Sequence, residues 1–318
     1  MIAVQEFNQV HFIEIDENAD GQRVDNFLLK TLKGVPKSRI YRIIRKGEIR
    51  LNKKRVKAES KLRTGDSLRI PPIRLQQEDK QVDLSKFDKV QALESCIIEE
   101  TNQFILLNKP SGLAVHGGSG LSFGVIEGLR ALRPKEKFLE LVHRLDRDTS
   151  GCLLIAKRRS FLTSCHEQLR CKKMRKEYLA VVSGAWNNQF NQVTAPLKKN
   201  QLRSGERHVT VDPEGKASDT RFKCLKRFKR HSLVRALPQT GRTHQIRVHA
   251  LYAGCPLLGD FKYNDNPDEE KVAIELGLKT FLLHANKLTF NLPDSDKRLT
   301  FEAPIPPQMN NVIEKLKD

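Results

Sequence analysis

Across residues 94–318 the apolar side chains fall into short runs that alternate with polar ones, at 104–107, 152–156, 178–182, 222–225, 288–292 and 299–302. A period of two sends successive side chains to opposite faces, so these runs predict strands of a half-buried sheet and exclude a helical bundle. Helices are fewer in this region, with Arg159–Arg170 the clearest. Residues 293–296, Pro293-Asp294-Ser295-Asp296, predict a hairpin turn between the last two strands. The stretch is long enough to bury its own core, and the fold class expected of it is α+β.

Ahead of it the character changes. Between Pro36 and Arg74 stand fourteen Lys and Arg against Glu48, Glu59 and Asp66, a net of +11. Two helices are predicted there. One carries Val24, Phe27, Leu28 and Leu32 on a face, and the next turns Ile40, Ile43 and Ile44 inward while Arg39, Arg42, Arg45 and Lys46 point out. Strands are expected at 49–52 and 67–70, with Lys53, Lys54 and Arg55 in the basic turn after the first. Residues 74–93 are polar and without period, as in a linker. The expected division is an N-terminal segment at 1–20, a small basic domain at 21–73, the linker at 74–93 and a main domain at 94–318.

Over the whole chain 57 Lys and Arg face 38 acids, a net of +19 with a pI near 9.8. That is the electrostatic footprint of a polyanion binder, and nucleic acid is the expected partner. No apolar run is long enough for a spanning helix, and residues 1–20 are acidic and mixed, unlike a signal peptide. No membrane partner is expected. Cysteines 96, 152, 165, 171, 224 and 255 form no Cys-x-x-Cys pair, which argues against a zinc ribbon or redox motif and for a reducing, cytoplasmic setting. His244 and His249 are five apart, a spacing that rotates them to different faces of a helix, so no metal site is expected.

The segment His143-Arg144-Leu145-Asp146-Arg147-Asp148-Thr149-Ser150-Gly151 carries the chemistry. It sets one carboxylate, Asp146, between two arginines beside a Thr-Ser-Gly turn. Flanking cations lower a carboxyl pKa, so Asp146 is expected to be ionised and suited to act as a nucleophile or a base. Taken alone, Asp-Thr-Ser-Gly is also an ordinary turn. An aspartic protease would need a second such turn, and none is present.

Those nine residues resemble the active-site motif of the large-subunit-type family of RNA pseudouridine synthases. Further blocks follow in that family's order: Asn108-Lys109-Pro110-Ser111-Gly112-Leu113-Ala114-Val115-His116, Lys176-Glu177-Tyr178-Leu179-Ala180, Thr240-Gly241-Arg242-Thr243-His244-Gln245-Ile246-Arg247-Val248-His249, Gly259-Asp260-Phe261-Lys262-Tyr263 and Leu283-His284-Ala285. Asn264 stands where the family has Gly, and Asn tolerates the left-handed conformation. The Pro-Ser-Gly turn, His116 and His284 are expected to be structural. Residues 22–72 resemble an S4 RNA-binding domain.

The resemblance implies an S4-like domain followed by a catalytic domain on a mixed, mainly antiparallel sheet. It implies Asp146 as the catalytic residue, Tyr178 as the ring that stacks on the target base, and Arg247 as the salt-bridge partner of Asp146. Arg144 would hold the place of the displaced base. A helix is expected to begin at Thr243 as its cap. Arg39, Arg42, Arg45, Lys46, Lys53, Lys54 and Arg55 would contact RNA. The implied partner is large-subunit ribosomal RNA or an assembling ribosomal subunit, met by a monomer that needs no cofactor. Three rival readings stay open: a catalytically silent RNA-binding protein, a synthase acting on transfer RNA, and a uridine-directed glycosylase that stops after bond cleavage.

Overall fold

The computed structural model describes residues 9–32, 35–73, 92–117, 124–201, 207–293, 295 and 297–317. These form two units, each with its own core. The expected linker lies almost wholly outside the described residues, as do Arg74, Asp294 and Asp296.

The small unit contains β1 (His11–Glu14), α1 (Val24–Thr31), α2 (Lys37–Arg45), β2 (Arg50–Leu51), β3 (Lys54–Arg55) and β4 (Ser67–Ile70). Its strands pair antiparallel in the order β1-β4-β2-β3. The segment expected to precede the domain therefore enters its sheet: β1 is matched residue for residue with β4, from His11 against Ile70 to Glu14 against Ser67. Four residues of weak alternation gave no signal for it. Asn52 and Lys53 adopt φ of 50° and 67°, the left-handed pair that a two-residue hairpin turn needs. α2 buries Ile40, Ile43 and Ile44 against Leu28, Leu68 and Ile70, and leaves Arg42, Arg45 and Lys46 in solvent. Arg39 is half-buried; Lys53, Lys54 and Arg55 are exposed.

The large unit is built on one ten-stranded sheet. Its first strands are β5 (Ile97–Glu100) and β6 (Phe104–Lys109), followed by α3 (Val125–Leu132), β7 (Glu140–Leu141), β8 (Ser150–Ala156) and α4 (Arg159–Arg170). Then come β9 (Arg175–Ser183), β10 (Gln192–Thr194), the separate hairpin β11 (Leu197–Gln201) and β12 (Arg207–Val211), β13 (Asp219–Arg227) and β14 (His231–Pro238). The chain closes with α5 (Gln245–Tyr252), α6 (Pro267–Glu275), β15 (Leu283–Asn291), β16 (Arg298–Glu302) and α7 (Pro307–Lys315). Along the sheet the order is β10-β13-β14-β9-β15-β8-β6-β5, with β16 on β15 and β7 on β8. Every pairing is antiparallel except β15 with β8, so the sheet is mixed and mainly antiparallel, as expected.

α4 carries Phe161, Leu162, Cys165 and Leu169 along one stripe, the spacing that buries a helix face on a sheet. Phe161 stacks on Phe104 of β6, with ring centroids 5.2 Å apart, and meets Phe290 of β15 edge-on at 5.8 Å. The helix stops where Lys172 turns left-handed (φ 56°) and the Lys173 N–H returns to the Gln168 carbonyl at 2.8 Å. That stop delivers the chain into β9 at a fixed register.

Gly151 sits where β8 crosses β15. Its φ is 105°, and a Cβ there would lie 2.3 Å from the Ala285 carbonyl oxygen. No L side chain fits without moving β15 off the sheet centre. Gly151→Ala is expected to destabilise the large unit by about 3 kcal/mol or more, through backbone strain and overpacking together. Urea unfolding checks it; a midpoint within error of the parent protein would contradict the crossing geometry.

Candidate active site

The loop between β7 and β8, the strand β9 and the turn ahead of α5 line one cleft of about 100 Å³, and Asp146, Tyr178 and Arg247 all stand in its wall. These residues come from three separate motifs of the sequence.

The Asp146 loop is fixed from below by β6. Lys109, the last residue of that strand, is fully buried, and its Nζ donates to the carbonyls of Pro110 (2.8 Å), Leu113 (2.8 Å) and Arg147 (2.9 Å). An ammonium has three protons and here meets three acceptors. Burial nonetheless draws Lys109 down to about 7, opposed by the charges of Asp148 and Asp146. The Gly112 N–H also donates to Arg147 O at 3.0 Å, and Ser111 Oγ donates to Asp148 O at 2.7 Å. The Pro-Ser-Gly turn is thus the floor under the loop.

Asp146 is half-buried at the cleft wall. Its environment differs from the sequence expectation. Arg147, its neighbour in the chain, turns away and forks onto Asp148 at 3.1 and 3.2 Å. Burial raises the Asp146 carboxyl above its ordinary value, while Arg247 and then Arg144 pull it back down. Two flanking arginines therefore do not depress this acid, because only one of them faces it and water is largely shut out.

Arg247 corrects a second expectation. It is buried on α5, and its guanidinium forks onto Asp260, Nε to Oδ2 and Nη2 to Oδ1, both at 2.7 Å. The cation is sandwiched between the rings of Tyr263 (4.7 Å) and Phe281 (4.3 Å). No ion pair joins it to Asp146 among the described residues; it acts there through its field. Asp260 is held for the fork by its backbone, whose carbonyl accepts from the N–H groups of Tyr263 (3.1 Å) and Asn264 (2.8 Å).

α5 has its cap one residue later than expected. Thr243 caps nothing; His244 is left-handed (φ 53°) and the helix starts at Gln245. The reason is Gln245 itself, whose Oε1 accepts from Thr240 Oγ1 (2.7 Å) and the Arg242 N–H (3.0 Å) while Nε2 donates to Asp219 O and Thr220 Oγ1, each at 2.9 Å. The turn at 240–244 is tied down by a helix side chain instead of a cap. Tyr178, on β9, is buried against the cleft; burial and then the nearby Asp146 hold its hydroxyl far above the usual phenol range. Arg144 is exposed at the cleft mouth.

The histidines are engaged in structure. His284 Nε2 donates to Ala303 O at 3.1 Å while its Nδ1 meets Ser150 Oγ at 2.9 Å, and His249 lies between Thr220 Oγ1 (2.9 Å) and Ala195 O (3.0 Å). His244 Nδ1 meets the Tyr263 hydroxyl at 2.7 Å. Among the described residues no group of three or more His, Cys, Asp or Glu side chains could hold a metal. Asn264 does not adopt the left-handed conformation allowed to it; its N–H donates to Asp260 O at 2.8 Å. Lys109 and Asp260 lay inside motifs already singled out, but their roles are long-range and no local pattern marks them.

Comparison with known proteins agrees with this geometry. Residues 103–252 match the family model for RNA pseudouridylate synthase, and residues 22–68 match the S4 domain. The chain is 54% identical to ribosomal large subunit pseudouridine synthase C of Yersinia pestis, over 97% of this chain and 96% of that protein. It is 54% identical to the proteins of that name from Haemophilus influenzae (98% and 96% covered) and Escherichia coli strain K12 (97% of each). In fold it resembles human RNA pseudouridylate synthase domain containing 4, with a TM-score of 0.60 and 24% identity over 74% of this chain and 97% of that one. With a synthase domain behind an S4 domain and relatives matched end to end, the chain belongs to the RNA pseudouridine synthase family.

Proposed function

We propose that this enzyme isomerises specific uridines of large-subunit ribosomal RNA to pseudouridine. The observation that carries the substrate class is the 54% identity, across nearly the full length of both chains, with relatives named for the large ribosomal subunit. The cleft supports the chemistry. A uridine must leave its stack to reach Asp146, and Arg144, exposed and lining the cleft, would occupy the space it leaves. Tyr178 offers a buried ring for the extruded base to stack on.

In the reaction the N1–C1′ bond breaks, the uracil turns, C5 bonds to C1′, C5 loses its proton and N1 gains one. Substrate and product are isomers, so no electrons are exchanged and no co-reactant is consumed. The Asp146 carboxylate acts on the ribose, either attacking C1′ or removing the C2′ proton. Arg247, fixed by Asp260, supplies a positive field toward that carboxylate that is set before the substrate arrives. The exposed Arg42, Arg45, Lys46, Lys53, Lys54 and Arg55, with Arg39, give the small unit a basic surface for the RNA backbone.

The test is chemical mapping of pseudouridine in large-subunit ribosomal RNA from cells lacking the protein, complemented by the parent gene or by Asp146→Ala. Discrete sites should vanish and return only with the parent gene. An unchanged map would overturn the ribosomal assignment and direct the same mapping to transfer RNA.

A further inference from the structure

β9 turns Lys176 and Tyr178 to the same face, two residues apart, and both line the cleft that holds Asp146. Lys176 differs from Arg247, Lys109 and Arg147, and only Arg144, exposed at the cleft mouth, is likewise unpaired among the described cations lining the cleft. Arg247 has Asp260, Lys109 has three carbonyls and Arg147 has Asp148. The Lys176 ammonium has no carboxylate and no hydrogen-bond acceptor among the described residues, although it is half-buried. Burial lowers its pKa and no acid opposes the shift.

Its position shows what it serves. Lys176 also lines a second cavity of about 490 Å³ that shares Arg144, Lys176 and Gly241 with the first, with Lys172, Arg175 and Arg221 around it. Across the junction stands Gly241, whose missing Cβ would lie 3.7 Å from Lys176 Nζ. A side chain there would narrow the passage. Next to it His143 Nδ1 is buried with no partner, and burial followed by the charge of Lys176 takes that imidazole down to about 3. The charges that act most on Asp146 are Arg247, Arg144, Asp260 and Lys109. A cation withdrawn from water without a counterion is costly in the free protein, and a ligand anion removes that cost.

We propose that Lys176 is the phosphate-binding residue of the cleft: its ammonium takes the backbone phosphate adjoining the extruded uridine, in the passage left open by Gly241. This rests on the functional reading above. With the base on Tyr178 and the phosphate on Lys176, two fixed points on one strand would set the ribose over Asp146.

The test is a cycle between protein and substrate. A synthetic RNA fragment spanning one mapped uridine is prepared with native linkages, and again with a neutral methylphosphonate on the 5′ or the 3′ side of the target. Parent protein and Lys176→Met are assayed on each, with Lys172→Met as the control for general attraction to RNA. On native RNA, Lys176→Met is expected to lower kcat/KM on the order of 30-fold, the size of a lost charge-assisted bond. One methylphosphonate position should cost the parent protein a similar factor and cost Lys176→Met almost nothing further. Equal losses in both proteins at every position would overturn the proposal. So would a lower melting temperature for Lys176→Met, since removal of an unpaired charge should leave stability unchanged or higher. Absence of pseudouridine with the parent protein on native RNA would instead overturn the functional reading.

Discussion

Asp146→Asn is expected to abolish pseudouridine formation, with turnover down by about 10⁴-fold and RNA binding retained, as when an acting carboxylate or nucleophile is removed from a preformed site. Asn keeps the shape and removes the charge. The same residue sets the acid limb of the rate profile. Burial raises the Asp146 carboxyl above its ordinary value, and only the ionised form attacks or abstracts, so the rate should begin to fall at a higher pH than a free aspartate would dictate. The sign for stability is opposite. A carboxyl whose folded pKa is raised binds more protons in the folded than in the unfolded state within that window, so its ionisation costs stability as pH rises through it. Asp146→Asn should therefore melt no lower than the parent at neutral pH. Single-turnover assays with deuterium at C2′ then separate the two routes, since only proton removal breaks that bond. Appreciable isomerisation by the Asn variant would sink the assignment of Asp146.

Asp260→Ala is expected to destabilise the large unit by about 3–5 kcal/mol, because it leaves the Arg247 guanidinium buried between two rings with no counterion. In melting temperature that is roughly 10 °C for a domain of this size. The paired change Arg247→Met with Asp260→Leu removes both charges and should recover most of the stability. It should not recover activity, because the field that Arg247 lays across Asp146 is gone. Stability and turnover thus part company in the double variant. If turnover returned along with the melting temperature, the pair would be structural only.

Much of this was legible in the chain. Arg159–Arg170 is the helix expected, and each of the six alternating runs falls mainly within a strand. The α5 start was not legible, because a glutamine side chain inside the helix ties the preceding turn, and cap preference at Thr243 was the weaker force. The partners of Asp146 and Arg247 differ from expectation for separate reasons. Arg147 has a carboxylate on either side and takes Asp148, which the order of residues does not decide, whereas the pairing of Arg247 with Asp146 was implied by the resemblance and Arg247 instead reaches thirteen residues on to Asp260. β1 escaped because its partner β4 lies beyond both helices, and pairing register has no local signature.

The single parallel contact of the sheet joins Ser150 to His284, residues 134 apart, and the cleft opens beside it. Closing so long a loop is entropically slow, and proteins dominated by such contacts fold slowly. While the chain is being synthesised, Asp146 and Tyr178 emerge well before β15 exists to hold β8 and β9 in place. The two strands beside the cleft can therefore be joined in the sheet only once β15, the last strand but one, has been made.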